Sequence, residues 1–409
     1  MIVEARESRR SIVVLVLIDA LGWKCIEGRD FLSRILPYRR PLKTVLGYSS
    51  AAIPTLLTGR PPAEHGHWNL FYYDPEGSPF RWLKPMQFLP ESFLENRLSR
   101  KLVKELGRRV LGLGPLFECN LSPKILPRFN YVEKRNVLEP GGIPCMPSIL
   151  DQLSSREIAY RVYSYRQMSD AQILERAASD VESGAASFFL LYLSEMDAFL
   201  HMHCTQREEV TKRLHWYEEK LSLVFEAARA ADPGAILSVV SDHGMTPVVR
   251  HYDLAQRIAA LKLKMPRDYL AVCDSTMARF WLFNERARAS ISGCLSGVWC
   301  GRILSDDDLR RLGVFFNDRR YGELIFLLRP GWLFSQSNFN GSSWRPRGMH
   351  GYDPADSFSD AIFLSNRLPS VPMRTIADVH TWLQNSIGIG DIPDSQPQLG
   401  VHIAQAGSR

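Results

Sequence analysis

Apolar residues in this chain gather into short unbroken runs, and between the runs the apolar positions fall at helical spacing. The runs cover residues 12–18, 187–193, 235–240 and 360–364. Continuous rather than alternating apolar character marks strands covered on both faces, the usual state of a parallel sheet. Segments 169–183 and 210–228 carry the helical period. In the second, Leu214, Tyr217, Leu221, Val224 and Ala228 step by three and four, so one face packs on a sheet. The pattern predicts an α/β fold.

Two regions break the rhythm. Residues 70–147, rich in Pro, aromatic residues and Arg without clear periodicity, read as an insertion beside the turn "HGHWN". Residues 276–345 hold the strand-like "ARFWLF" and "ELIFLL" with the helical "DDDLRRLGVFF" between them, which predicts a small α+β cap inserted before the last strand. The core is then 1–275 with 346–390, and the Gly-, Pro-, Gln- and Ser-containing stretch 391–409 is a flexible tail. Within the insertion, "RLSRKLVKELGRR" (97–109) reads as an amphipathic helix on the core with Leu98, Leu102 and Leu106 beneath a basic face, a lid or membrane-surface helix being the alternative.

An apolar share of 45% in 409 residues is ample for a packed core. The formal charge of +6 comes without a long basic tract, so no nucleic acid duplex is expected; it suits a small anionic substrate. The most apolar N-terminal stretch is interrupted by Asp19 and lacks a cleavage site, and no stretch reaches the length of a membrane span. Seven scattered cysteines without C-x-x-C spacing suit a reducing compartment, so the expected location is cytoplasmic. Oligomeric state is not legible.

Chemistry concentrates where apolar runs end. In an open parallel sheet ligands collect outside the carboxyl ends of the strands. Asp19 closes "VLVLIDALGW", Asp197 follows "FFLLYLSEMDAFLH", and Asp242 and His243 close "ILSVVSDHGM". One such Asp alone is an ordinary helix cap or turn former. Three carboxylates on one rim repel unless a cation neutralises them. Asp197 and His201, four apart on one helical face, can share an ion, and His350 sits between glycines in "RGMHGYDP". Mixed Asp and His ligation favours zinc, with manganese and iron compatible. Ser49 stands where a helix "SAAIPTLLTG" should begin: a capping serine, or a nucleophile whose alkoxide the helix N-terminus would favour.

Taken in order, "VLIDALGW", "YSSAAIPTLLTGRPPAEHG", "LYLSEMDAFLH", "SDHGM" and "MHGYDP" resemble the alkaline phosphatase superfamily, and within it most the type I phosphodiesterase/nucleotide pyrophosphatase family. The resemblance implies a three-layer α/β/α sandwich around a mostly parallel sheet. It implies a nucleophile ten residues before the Gly of the Thr-Gly, which is Ser49 counted from Gly59, with Ser50 one register away. Pro62, His65 and Gly66 would form the following turn, His65 in a structural role. One ion would be held by Asp197, His201 and His350, the other by Asp19, Asp242, His243 and the Ser49 oxygen, and Asn69 would donate to a nonbridging phosphate oxygen. The implied reaction is hydrolysis of a phosphate ester, chiefly a diester, through a phosphoseryl intermediate. Phosphomonoester hydrolysis, or transfer to an alcohol as in a phosphotransferase or mutase, would use the same site; a non-catalytic binding protein is the reading outside the enzymes.

The segment "SSAAIP" departs from the Thr-Phe-Pro-Asn of nucleotide pyrophosphatases, so nucleotide specificity is not implied, and it lacks the Pro and Arg of a sulfatase signature. A diester's second group needs an apolar or aromatic wall. Trp68, Phe71, Tyr72 and Trp82 are candidates, with simple packing of the insertion as the alternative. His67 and His203 have no expected role.

Overall fold

Val13–Ile18 is buried at every position, and its alternate side chains feed two different cores. Val14, Val16 and Ile18 face one layer, where they meet Ile173, Leu174, Ala177 and Val181 of the helix Asp170–Glu182 and the apolar stripe of the helix Arg207–Ala231. Val13, Leu15 and Leu17 face the other, against the helices Ser49–Thr58, Ile149–Ser155 and Asp378–Ile387. Alternation of Cβ direction along a strand thus turns an unbroken apolar run into the middle of three layers. Each fully buried Val, Leu or Ile contributes roughly 1.5–3 kcal/mol relative to exposure. This computed structural model describes residues 11–88, 105, 121–338 and 344–389; the basic segment 97–109, Glu105 excepted, and the tail 391–409 lie outside them.

The central sheet has six strands in the order Tyr38–Leu42, Ala361–Ser365, Ile236–Val240, Val13–Ile18, Phe188–Leu193 and Tyr160–Tyr163. The last four run parallel. Ala361–Ser365 is antiparallel to both of its neighbours, so the run 360–364 is a correction to the parallel reading of the four runs: a strand buried on both faces looks the same in either direction. The fold is a three-layer α/β/α sandwich with a mostly parallel sheet. Its helices begin where local chemistry dictates. Ser148 and Ser169 close capping boxes with Asp151 and Gln172, satisfying N–H groups that a helix start leaves free.

A second, four-stranded antiparallel sheet has the order Tyr269–Cys273, Met277–Leu282, Leu324–Leu328 and Gly301–Ile303. Its first strand lies ahead of residue 276, where the sequence reading began the cap. The helix in "DDDLRRLGVFF" is confined to Asp306–Arg311, and Gly313 follows at φ +69°. From the insertion, Phe71, Phe80, Phe129 and Tyr131 pack with Leu270, Val272 and Trp281, so insertion and second sheet share a core. Among the described residues no helix is long and apolar enough to cross a membrane.

Candidate active site and metal centre

Three adjacent strands deliver the acidic residues to one rim. Asp19 follows Ile18 directly, Asp242 comes two residues after Val240, and Asp197 lies in the first turn of the helix Glu195–His203 that follows Leu193. Buried Asp170 pins that turn by accepting from the Ser194 and Glu195 N–H groups and the Tyr217 phenol. One oxygen of Asp242, Oδ1, accepts from the N–H groups of Ala20 (3.2 Å) and His243 (3.0 Å), which ties two strand ends together. The loops beyond cross at glycine: a Cβ on Gly22 would lie 2.5 Å from Gly244 Cα, and one on Gly244 would lie 2.2 Å from the Phe358 carbonyl.

The side chains gather as two triads. Asp197, His201 and His350 form one and Asp19, Asp242 and His243 the other, the potential ligand atoms within each lying within 4.8 Å of one another. The triads touch, since the His243 and His350 rings stack at 3.8 Å with 13° between planes. In the first, Asp197 lies 3.3 Å from His201 Nε2 and 3.5 Å from His350 Nε2. In the second, His243 Nε2 lies 3.2 Å from Asp242 Oδ2 and 3.6 Å from Asp19 Oδ1.

Hydrogen bonds behind the imidazoles fix what they offer. His201 Nδ1 bonds the Gly348 carbonyl at 2.8 Å and His243 Nδ1 the Gly244 carbonyl at 3.0 Å. Each Nδ1 therefore carries the hydrogen, and in the neutral ring Nε2 presents a lone pair to carboxylate oxygens. Such a meeting of acceptors is relieved by a cation. Three buried atoms point the same way, because Asp19 Oδ1, Asp197 Oδ1 and Asp242 Oδ2 have no hydrogen-bond partner among the described residues. The donor set fits divalent ions of the zinc, manganese or iron kind.

Electrostatics of the bare side chains separate the triads. Burial raises the Asp19 carboxyl well above the usual aspartate range, and the charges of Asp242 and Asp197 raise it further. Burial also opposes ionisation of Asp197, yet His201, by charge and hydrogen bond, outweighs it and with His350 and His243 holds that carboxyl well below its usual range. His201 is raised in return: Asp197 overcomes the burial penalty. Burial, helped by the charge of His243, pushes His350 far down.

Ser49 opens the helix Ser49–Thr58, but Tyr48 holds the capping position and no side chain caps the helix, so Ser49 is not a capping serine. Its Oγ lies 3.1 Å from His243 Nε2. The Ser50 hydroxyl is buried and donates to the Trp68 carbonyl at 3.1 Å, which brings the 68–69 segment beside the helix start. Asn69, next in the chain, is 1% exposed, and neither amide atom has a partner among the described residues. On the far side, the Tyr48 ring meets His350 edge-on at 5.4 Å, while Thr276 bonds both the Tyr48 hydroxyl and the Gly351 carbonyl. The His350 loop is thereby joined to the second sheet.

Among the described residues, the remaining histidines stand outside both triads. His65 Nδ1 accepts from the His67 N–H and its Nε2 bonds Thr55 Oγ1, a turn-locking arrangement in which burial and the charge of His67 press the imidazole down to about 3. His203 bonds Gln206 and stacks on Phe199. The aromatic wall needs correction. Trp68 is fully buried, stacked on Phe316 and bonded to the Leu46 carbonyl, and Phe71 packs on Tyr131, so both serve packing. Tyr72 is half-buried against Tyr321 and Trp82 is exposed. Trp344, which the sequence reading did not single out, meets His201 edge-on at 4.9 Å. Tyr192, inside an apolar run, was missed too: its phenol donates to Asp19 Oδ2.

The family model described as type I phosphodiesterase / nucleotide pyrophosphatase matches residues 13–353. Among solved structures, human ectonucleotide pyrophosphatase/phosphodiesterase 5 superposes with a TM-score of 0.66 at 16% identity, over 94% of this chain and 96% of that one. The murine counterpart has the same identity and coverages, with a TM-score of 0.66, or 0.65 for an inactive form in complex with AMP. At this identity the likeness speaks for the fold. No curated protein matches the chain.

Proposed function

The chain belongs to the type I phosphodiesterase/nucleotide pyrophosphatase family, an enzyme family of metal-dependent phosphoric ester hydrolases, and from that premise we propose that it cleaves small anionic phosphodiesters through Ser49 with two divalent ions, zinc foremost. Asp197, His201 and His350 would hold one ion; Asp19, Asp242, His243 and the Ser49 oxygen would hold the other. Bound there, the ions would supply positive charge to the phosphoryl oxygens and lower the cost of ionising the serine.

The rest is the work of this chain's own groups. Ser49 sits at a helix N-terminus, where the dipole favours negative charge on Oγ and on an approaching phosphate. Its oxygen attacks phosphorus in line; the Oγ–P bond forms as the bond to the departing alkoxide breaks. Water then attacks the phosphoseryl group, the Oγ–P bond breaks, and Ser49 regains its proton. Asn69 donates to a nonbridging oxygen from its amide, which has no partner among the described residues. The carrying observation is the convergence of two Asp/His triads, linked by the His243–His350 stack, on a hydroxyl 3.1 Å from His243. AMP in the murine relative supports a ligand of nucleotide size. Cytoplasmic placement belongs to the same proposal, supported by six described cysteines that are all free thiols; recovery of the expressed chain in the secreted fraction would overturn it.

The test compares an aryl phosphodiester with the matching monoester, with and without chelator. The diester is expected to turn over faster, chelator to abolish both, and Ser49→Ala to cost on the order of 10³-fold or more. A quenched reaction of the wild type should carry phosphate on the peptide containing Ser49. Preference for the monoester would overturn the diester assignment, and turnover untouched by chelator would overturn the role of the ions.

A further inference from the structure

Tyr192 belongs to the apolar strand Phe188–Leu193 and is 5% exposed, yet it carries a hydroxyl to the edge of the ion site. The register explains how. Tyr192 pairs with Leu17, and Asp19 lies two residues further along on the same face, one pleat nearer the rim. From there the phenol donates to Asp19 Oδ2, while the Asp19 N–H bonds the Leu193 carbonyl at 2.9 Å. The ring is held in turn by Tyr165, edge-on at 5.4 Å. An ionised carboxylate only accepts, so the phenol must donate. The other oxygen, Oδ1, has no hydrogen-bond partner among the described residues and faces His243 Nε2.

We propose that Tyr192 is a positioning residue for one of the two ions, holding Asp19 Oδ2 so that Oδ1 alone is presented as a ligand beside Asp242 and His243. The inference rests on the two-ion reading above. Partners behind ligating side chains set their orientation, and losing one typically costs about 10–100-fold in metal affinity. Without the phenol, the Asp19 carboxylate is free to rotate and to spread its charge over both oxygens.

The experiment reads metal binding, not turnover. Wild type and Tyr192→Phe are stripped by chelator and titrated with Zn²⁺ by equilibrium dialysis with elemental analysis. Tyr192→Phe is also introduced into Asp19→Ala and Asp197→Ala backgrounds, each of which leaves one triad intact. Wild type should bind two ions per chain. Tyr192→Phe should retain one at unchanged affinity and weaken the other about 10–100-fold. The loss should persist in the Asp197→Ala background and vanish in Asp19→Ala. Two ions at wild-type affinity in Tyr192→Phe would overturn the proposal and leave the two-ion reading standing. Equal weakening in both backgrounds, or a metal-free melting temperature lowered by more than a few degrees, would assign Tyr192 to general packing and overturn it as well. A wild type that binds no ion would overturn both inferences.

Discussion

Asp19→Asn should stabilise the metal-free protein and destabilise the metal-loaded one. In the stripped chain one carboxylate oxygen of Asp19 lies within 4.8 Å of one of Asp242. Two unit charges at that separation repel by about 3 kcal/mol at an effective dielectric constant of about 20. Asn keeps the shape: its carbonyl can accept from Tyr192 while its amide donates toward Asp242 Oδ2, an acceptor without a partner among the described residues. Allowing for incomplete relief, a gain of about 1–3 kcal/mol is expected, or about 1–4 °C in melting temperature for a chain of 409 residues. The effect has a defined pH dependence. Burial and the charges of Asp242 and Asp197 raise the Asp19 carboxyl, so above about pH 4 the native chain holds a proton that the unfolded chain has released. Stability of stripped wild type is then fullest below about pH 4 and falls as pH rises through the folded value. The advantage of Asp19→Asn must therefore grow from acid toward neutral pH. With Zn²⁺ in excess the order inverts, because an ion at 100 times its dissociation constant adds about 2.7 kcal/mol to wild type that the variant forgoes at this site. The assay is thermal unfolding in EDTA and in Zn²⁺ across pH. A stripped Asp19→Asn protein no more stable than wild type at neutral pH would refute the reasoning that the triad is held together against its own charge.

Three further outcomes follow from particular contacts. Ser50→Ala should cost about 1 kcal/mol of stability through the lost bond to the Trp68 carbonyl and leave turnover within a few fold; abolished turnover there, with active Ser49→Ala, would move the nucleophile by one position. Gly351→Ala places a methyl 2.7 Å from the Tyr48 ring at φ +88°, so it should cost about 1–3 kcal/mol and lower kcat by displacing Tyr48 from His350; unchanged stability and kcat would contradict the contact. His380, whose Nδ1 bonds the Leu57 carbonyl at 2.8 Å, is pressed by burial to about 4. The unfolded chain binds that proton first, so stability should fall as pH drops from about 6.5 through 4, and the urea-midpoint difference between wild type and His380→Gln should narrow over that window.

The residues of the two Asp/His triads were legible because their signal is positional. Asp19 and Asp242 stop apolar runs, and Asp197 and His201 repeat at helical spacing, so strand adjacency alone brings them together. Other features left no such trace. The reversed direction of Ala361–Ser365 is invisible in a strand with two buried faces, and the strand Tyr269–Cys273, buried at only three of its five positions, follows the polar stretch "KMPRD" and does not stand out. Trp68 and Phe71 illustrate a different limit: an aromatic residue in an irregular segment reads equally as core or as ligand wall, and only their contacts with Phe316 and Tyr131 decide. Tyr192 could have been noticed as the one hydroxyl-bearing residue in "FFLLYL", but its partner depends on register, which no run of letters prints.

The place of Ala361–Ser365 between Tyr38–Leu42 and Ile236–Val240 also bears on how the chain is made. During synthesis, Tyr38–Leu42 emerges early and has no sheet neighbour until the strand some three hundred residues later has left the ribosome. His350 emerges only shortly before that strand. A nascent chain can thus neither close its central sheet nor bring His350 to Asp197 and His201 until that strand has been translated, and a ribosome stalled anywhere earlier would release an aggregation-prone fragment with an open sheet edge.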